Sequence, residues 1–219
     1  MKSKSPFENK IQLANAFKEK IDKNFETLNK YFEDGSTLFS ELNPKIFEVN
    51  KCLILECFTA SITLTNHILE RLLKLALITN DTGIGELDVN LWDEHFEKPH
   101  KDYSGKTLGN TSELCLNREL ITTEDKDYLF NKVREQIRNG FSHSDPDKIL
   151  VDNVEYAVMF QGTFKNPTDI KPVNLNIKNN PIFQAIQMED FAKENALKYF
   201  DFVYNLIFKI ESIILVKNK

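Results

Sequence analysis

Residues 52–78 read CLILECFTASITLTNHILERLLKLALI, and the spacing of their apolar members decides the fold class. Leu53, Ile54, Cys57, Phe58, Ile62, Thr65, Leu69, Leu72, Leu73 and Ala76 recur at steps of three and four, the period of one helix face. The pattern starts at Phe47, after a break around Asn43-Pro44, and stops at Asn80-Asp81-Thr82-Gly83, which predicts one long central helix. This is the most hydrophobic part of the chain, yet Glu56, Asn66, His67, Glu70, Arg71 and Lys74 make it too polar to span a membrane. Opposite the apolar face, Glu56, Thr59, Ala60, Thr63, His67, Glu70 and Lys74 form a polar stripe. That stripe reads either as a solvated face or as one wall of a cleft in which Glu56 or Glu70 holds a cation.

Helical periodicity continues on both sides. Upstream, Ile11, Leu13, Ala14, Phe17, Ile21, Phe25, Leu28, Tyr31 and Phe32 predict an amphipathic helix over 7–32, ending near Asp34-Gly35. Downstream, 83–109 is poorly periodic and reads as a short helix around Glu86 to Phe96 followed by a loop. His95 and His100 stand about 140° apart on a helix, with Pro99 between them, so no joint metal site is expected. Thr122-Thr123-Glu124-Asp125 has the form of a capping box and opens a helix burying Tyr128, Leu129, Val133, Ile137 and Phe141. Asp145-Pro146 reads as the start of a short turn of helix. Partial alternation over 154–164 and 170–177, separated by Lys165-Asn166-Pro167-Thr168-Asp169, predicts a small β-hairpin over 154–177. From Pro181 to Val216 the helical period returns, in a helix expected to lie along the central one.

Composition agrees with a mainly helical domain. The 219 residues include only seven Gly and seven Pro, while seventeen Phe supply a large aromatic core. One domain over 1–219 is expected, with its core in 45–150 and a C-terminal helix over 181–216. Cys52, Cys57 and Cys115 are an odd set without CxxC spacing, which suits a reducing cytosol better than disulfides or zinc. The first residues lack the apolar stretch of a signal peptide, so a cytoplasmic protein is expected, neither exported nor membrane-bound. The net charge of −5 argues against binding nucleic acid by bulk attraction and confines any RNA site to a local patch.

The candidate chemistry lies in Arg138-Asn139-Gly140-Phe141-Ser142-His143. A histidine moves protons near neutral pH, and an arginine steadies charge on phosphate oxygens by bidentate contact. Five positions apart, the two diverge by about 140° on an α-helix, but a turn at Gly140 and the reach of Arg bring them together. RNA suits so small a set because its 2'-hydroxyl is an internal nucleophile, and neither metal nor cofactor is needed. His143 would move the proton, Arg138 would stabilise the transition state, and Asn139 would orient phosphate or imidazole. One histidine serves poorly as both base and acid in a single step, which points to a second copy from a homodimer. Lys132, Arg134 and Lys148 supply local positive charge, with Glu70 facing them as a weaker candidate. The same six residues also read as a plain helix end, whose cations complement the helix dipole.

The motif resembles the Arg-x4-His signature of the HEPN superfamily, including its Arg-Asn opening and the aromatic before the final pair. Leu69 to Ile78 resembles the family's long early helix, and Leu108-Gly109 to Ile121 its approach to the motif, so the likeness spans roughly 51–150. The resemblance implies an all-α bundle of HEPN type with long antiparallel helices, here carrying a β-hairpin insertion before the C-terminal helix. It further implies face-to-face dimers and, in many members, endoribonuclease activity in toxin–antitoxin, phage-defence or RNA-processing systems, with an antitoxin or regulatory protein as partner. Other members are non-catalytic nucleotide-binding or protein-interaction modules, the alternative reading. Two features depart from the pattern. Ser144-Asp145-Pro146 replaces the Tyr that often follows the His, and the N-terminal helix and hairpin extend beyond a minimal domain.

Overall fold

The computed structural model describes residues 9–33, 35–86, 88–138, 141, 156–163, 166–176 and 180–218. The chain is mostly helical, with one two-stranded antiparallel hairpin before the final helix. Its first three long elements, α1 (Lys10–Leu28), α3 (Asn43–Ile54) and α4 (Phe58–Thr82), follow one another as antiparallel neighbours. Asn24 reaches the Ile54 carbonyl and Asn50 the Tyr31 carbonyl, which sets α1 against α3. Arg71 meets Glu41, just before α3, at 2.6 Å, which sets α3 against α4. A four-residue helix, α2 (Lys30–Glu33), and a 3₁₀ turn at Ser40–Leu42 fill the connection.

The predicted central helix is broken. Three residues, Leu55 to Cys57, separate α3 from α4, and Glu56 takes a positive φ of 59°. A left-handed turn at a non-glycine residue is uncommon and needs compensation. Here Lys23 donates to the Glu56 carboxylate at 2.8 Å, and Lys20 lies 3.6 Å from its second oxygen. The hydrogen bond from Lys23 and a second from Asn24 at 3.4 Å hold the Glu56 carboxyl below its ordinary range. Glu56 therefore belongs to a corner that fastens α1, and it leaves the α4 polar stripe on which the periodicity placed it.

α4 is the axis of the fold. Ile62, Ile68, Leu69, Leu72, Leu73, Ala76 and Leu77 are wholly buried. Each of the large ones contributes about 1.5–3 kcal/mol relative to exposure. The last helix, α8 (Pro181–Lys217), starts at the expected proline, capped by Asn180, and lies along α4 as anticipated. The two run parallel, because Tyr199 donates to Asn66 near one end while the Ile84 N–H donates to Asn218 at the other. The expected antiparallel arrangement thus holds for α1, α3 and α4 but not for this longest pair. The intervening helices carry the chain back before α8 begins.

Those helices also differ from expectation. After a 3₁₀ turn at Val89–Leu91, α5 runs Trp92–Tyr103 straight through Pro99, where a loop was predicted. Interior proline removes one backbone bond and strains the turn before it. The cost is offset at the helix end, where Tyr103 is buried and its hydroxyl joins Asp81 and Arg118 in a hydrogen-bonded cluster. α6 (Leu108–Asn117) and α7 (Thr123–Tyr128) follow. In the hairpin, β1 (Tyr156–Thr163) pairs with β2 (Asn166–Asn176). Asn166 to Asp169, read as turn from composition, belong to β2. A proline is tolerated there because a two-stranded ribbon is all edge.

Candidate functional site

The helix that leads to Arg138 is fixed at its start by reciprocal bonds. Asp125 N–H donates to the Thr122 hydroxyl at 3.3 Å, and Thr122 N–H donates to the Asp125 carboxylate at 2.9 Å, the predicted capping box. Lys209 from α8 also donates to Asp125. Burial alone would raise the Asp125 carboxyl, but Lys209 and the Thr122 N–H and hydroxyl outweigh it and hold it below the carboxylate range.

Beyond α7 the winding changes to a π-helix over Leu129–Arg138. The sequence shows why the wider turn is tolerated. Leu129, Val133, Ile137 and Phe141 recur every four residues and are 1%, 0%, 0% and 8% exposed. Repeats of four drift steadily around an α-helix of about 3.6 residues per turn, and i→i+5 bonding widens the turn and reduces that drift. One face can then stay buried for the whole run. Tyr128 packs on Phe202 with ring centres 4.3 Å apart, and Phe141 lies 5.8 Å from Phe191. π-winding is rare and often marks functional positions.

The residues singled out in the sequence are placed unevenly. Lys132 is half-buried, its ammonium 5.6 Å from the centre of the Phe191 ring, so part of its charge already faces an aromatic partner. Glu70 is half-buried on α4. Arg138 is the final residue of the π-helix, and its side chain, like that of Arg134, lies outside the described residues. Asn139, Gly140, Ser142, His143, the Asp145-Pro146 turn and Lys148 lie outside them as well. Of the expected polar stripe, Thr59, Ala60 and His67 are exposed, and Lys74 donates to the Ser104 carbonyl at 2.7 Å.

A second group of polar residues on α4, of which the period had placed only Thr65 on the apolar face, was not brought together by the sequence. Ser61, Thr65 and Asn66 are buried on a helix that touches the π-helix. The Thr65 hydroxyl donates to the Ser61 carbonyl at 2.7 Å, and Asn66 accepts from Tyr199 at 2.8 Å. The Ser61 hydroxyl and the Asn66 amide nitrogen are enclosed without a hydrogen-bond partner among the described residues. Unsatisfied buried polar groups are costly and call for an explanation, a function or a bound molecule among them. Their only signal in the sequence is that two amphiphilic residues and an asparagine occupy apolar positions.

α5 stands off the core and leaves grooves along its sides. His95 opens on one of about 540 Å³ with Asp81, Glu94 and Asp102, while His100 opens on another of about 720 Å³ with Arg71, Trp92 and Phe96. The two histidines therefore face different spaces. Among the described residues no cluster of three or more His, Cys, Asp or Glu could hold a metal ion, and no helix is long and apolar enough to cross a membrane.

Fold and site together define a mostly helical protein with a π-wound segment ending at an Arg-x4-His motif. Compared with models of known families, with curated proteins and with solved structures, the chain matches none.

Proposed function

We infer that this chain is a metal-independent endoribonuclease of the HEPN type, acting as a homodimer through Arg138 and His143. The observation that carries the reading is the π-winding of Leu129–Arg138. π-winding is rare and often marks functional positions, and here its last residue is Arg138, the first residue of the motif. Burial of Ile137 and Phe141 anchors the segment to the core on both sides of Asn139-Gly140, the support a reactive pair needs to hold its geometry.

In the reaction, His143 takes the proton from the RNA 2'-hydroxyl, whose oxygen attacks the adjacent phosphorus. The 5'-oxygen leaves with a proton from the His143 of a second copy, giving a 2',3'-cyclic phosphate and a 5'-hydroxyl end. Arg138 stabilises the charge on the phosphate oxygens, and Asn139 orients the phosphate. An acidic chain at −5 lacks a general hold on RNA and so suits a nuclease that a partner or a defined target directs. The same charge, with Lys132 engaged on Phe191, favours a non-catalytic interaction module as the second reading.

The test incubates purified protein with mixed RNAs in EDTA and maps the product ends. Cleavage by the wild type, lost by about 10²-fold or more in both His143→Ala and Arg138→Ala, is the expected result. An inert wild type, or cleavage that survives His143→Ala, overturns it.

A further inference from the structure

Two exposed apolar surfaces lie toward opposite ends of α4 among the described residues. The first is α1, where Leu28 is the one buried residue of nineteen. Leu13, Phe17 and Ile21 form a stripe at one-turn intervals and are 36%, 43% and 44% exposed. The helix is fastened by polar contacts of its C-terminal half: Lys20 to the Leu55 carbonyl and Asn24 to the Ile54 carbonyl, both at 2.9 Å, and Lys23 to Glu56. Because α1 runs antiparallel to α3, its N-terminal half continues past the α3–α4 corner.

The second surface is the 720 Å³ groove between α4 and α5, within the ~300–1,000 Å³ range of pockets that seat compact groups. Leu75 and Ile78 line its base, and Trp92 and Phe96, one turn apart on α5, form an aromatic wall. Asp93 and Glu97 sit on its rim, whereas Arg71, the one Lys or Arg among its described lining residues, is neutralised by Glu41.

The charges of the two surfaces are complementary. Residues 10–18 carry Lys10 and Lys18 and no acid. Residues 86–102 carry six acidic and two basic side chains. Lys18 pairs with Asp22 within α1, but both are well exposed and such a pair exchanges at little cost. A chain cannot fill its own groove while α1 stays on α3. The α3–α4 corner and the groove's base at Ile78 are separated by about 30 Å of α4, and α1 points the other way.

We propose that the α4–α5 groove seats the N-terminal half of α1 from a second copy of this chain, in a reciprocal exchange that closes a two-fold dimer. Leu13 and Phe17 enter against Trp92 and Phe96, whose one-turn repeat they match, and Lys10 and Lys18 meet Asp93 and Glu97. Both apolar surfaces are covered at once, and the symmetry leaves none open to further copies. The exchange holds whatever Arg138 and His143 do.

The experiment measures the mass of the full chain in solution by light scattering from about 1 to 100 μM, a span over which micromolar association is visible. Wild type is expected to pass from monomer to dimer, and Leu13→Ser with Phe17→Ser to remain monomeric. Asp93→Lys with Glu97→Lys is expected to weaken association about tenfold, as reversal of two charge pairs at an interface should. Adding Lys10→Glu and Lys18→Glu to that variant is expected to restore it, which a folding defect could not imitate. A wild type that stays monomeric overturns the proposal. So does a dimer indifferent to the α5 reversals, or one that the compensating charges fail to restore.

Discussion

α1 and α8 carry the same signature of apolar residues at helical spacing, and they end in opposite circumstances. α8 buries Ala196, Tyr199, Phe200, Val203, Ile207, Ile210 and Ile214 against the body of the protein. α1 buries Leu28 and is held by lysine and asparagine side chains reaching backbone carbonyls at the end of α3. Periodicity therefore announces a helix with an apolar face, and says nothing about whether that face meets its own chain. A stripe that faces solvent along most of a nineteen-residue helix is the kind of surface that marks an interaction.

The contrast can be broken or sharpened by substitution. Leu72→Ala, in the centre of α4, is expected to cost about 2–5 kcal/mol, read as a shift of the urea midpoint. Next is Glu211→Ala. Glu211 is 7% exposed and accepts from the Thr37 N–H and hydroxyl and from the Leu38 N–H, so its loss strands donors beside α8 and should cost about 2–3 kcal/mol. Thr122→Ala removes one side of the capping box and should cost about 1 kcal/mol by the same measurement.

Asp125 supplies the accompanying pH dependence. Its folded-state pKa is depressed, so its contribution is present above the ordinary carboxyl value near ~4 and is lost as pH falls through the lower folded value. Asp125→Asn should flatten that part of the acid-unfolding curve and leave the neutral and alkaline side unchanged in slope. The smallest effect is expected for Phe17→Ala. At protein concentrations where α1 is unpaired, it should change stability by no more than about 0.5 kcal/mol. A loss as large as that of Leu72→Ala would mean that α1 belongs to the core after all.

Much of this was legible in the residues. The cap at Thr122, the start of α8 at Pro181 and the hairpin all carry strong local chemistry. What escaped prediction depends on distant partners. Nothing at Leu55-Glu56-Cys57 announces a break, because the left-handed turn is stabilised by Lys23 and Asn24 from another helix. Pro99 looked like a stop and is carried through by the cluster around Tyr103. The π-winding was half legible: the four-residue spacing of Leu129, Val133, Ile137 and Phe141 is wider than an α-helix prefers, but only the shared burial of all four shows which winding it serves. Ser61 and Asn66 were hidden as buried residues because polar residues at core positions leave the apolar period intact, whereas the period did place Thr65 on the buried face. The motif's chemistry rests on Arg138 and His143, and its anchoring on Ile137 and Phe141, whose burial the periodicity did predict.

The hydrogen bond between Asn66 and Tyr199 has a consequence for synthesis. It spans 133 residues of chain, and α4 acquires its longest apolar neighbour only when α8 is made. At ~5–20 residues per second on a ribosome, that partner arrives on the order of ten seconds after α4. For that interval α3, joined by α5 and α6, covers the central helix of the fold, so the corner at Glu56 serves the nascent chain as well as the finished one.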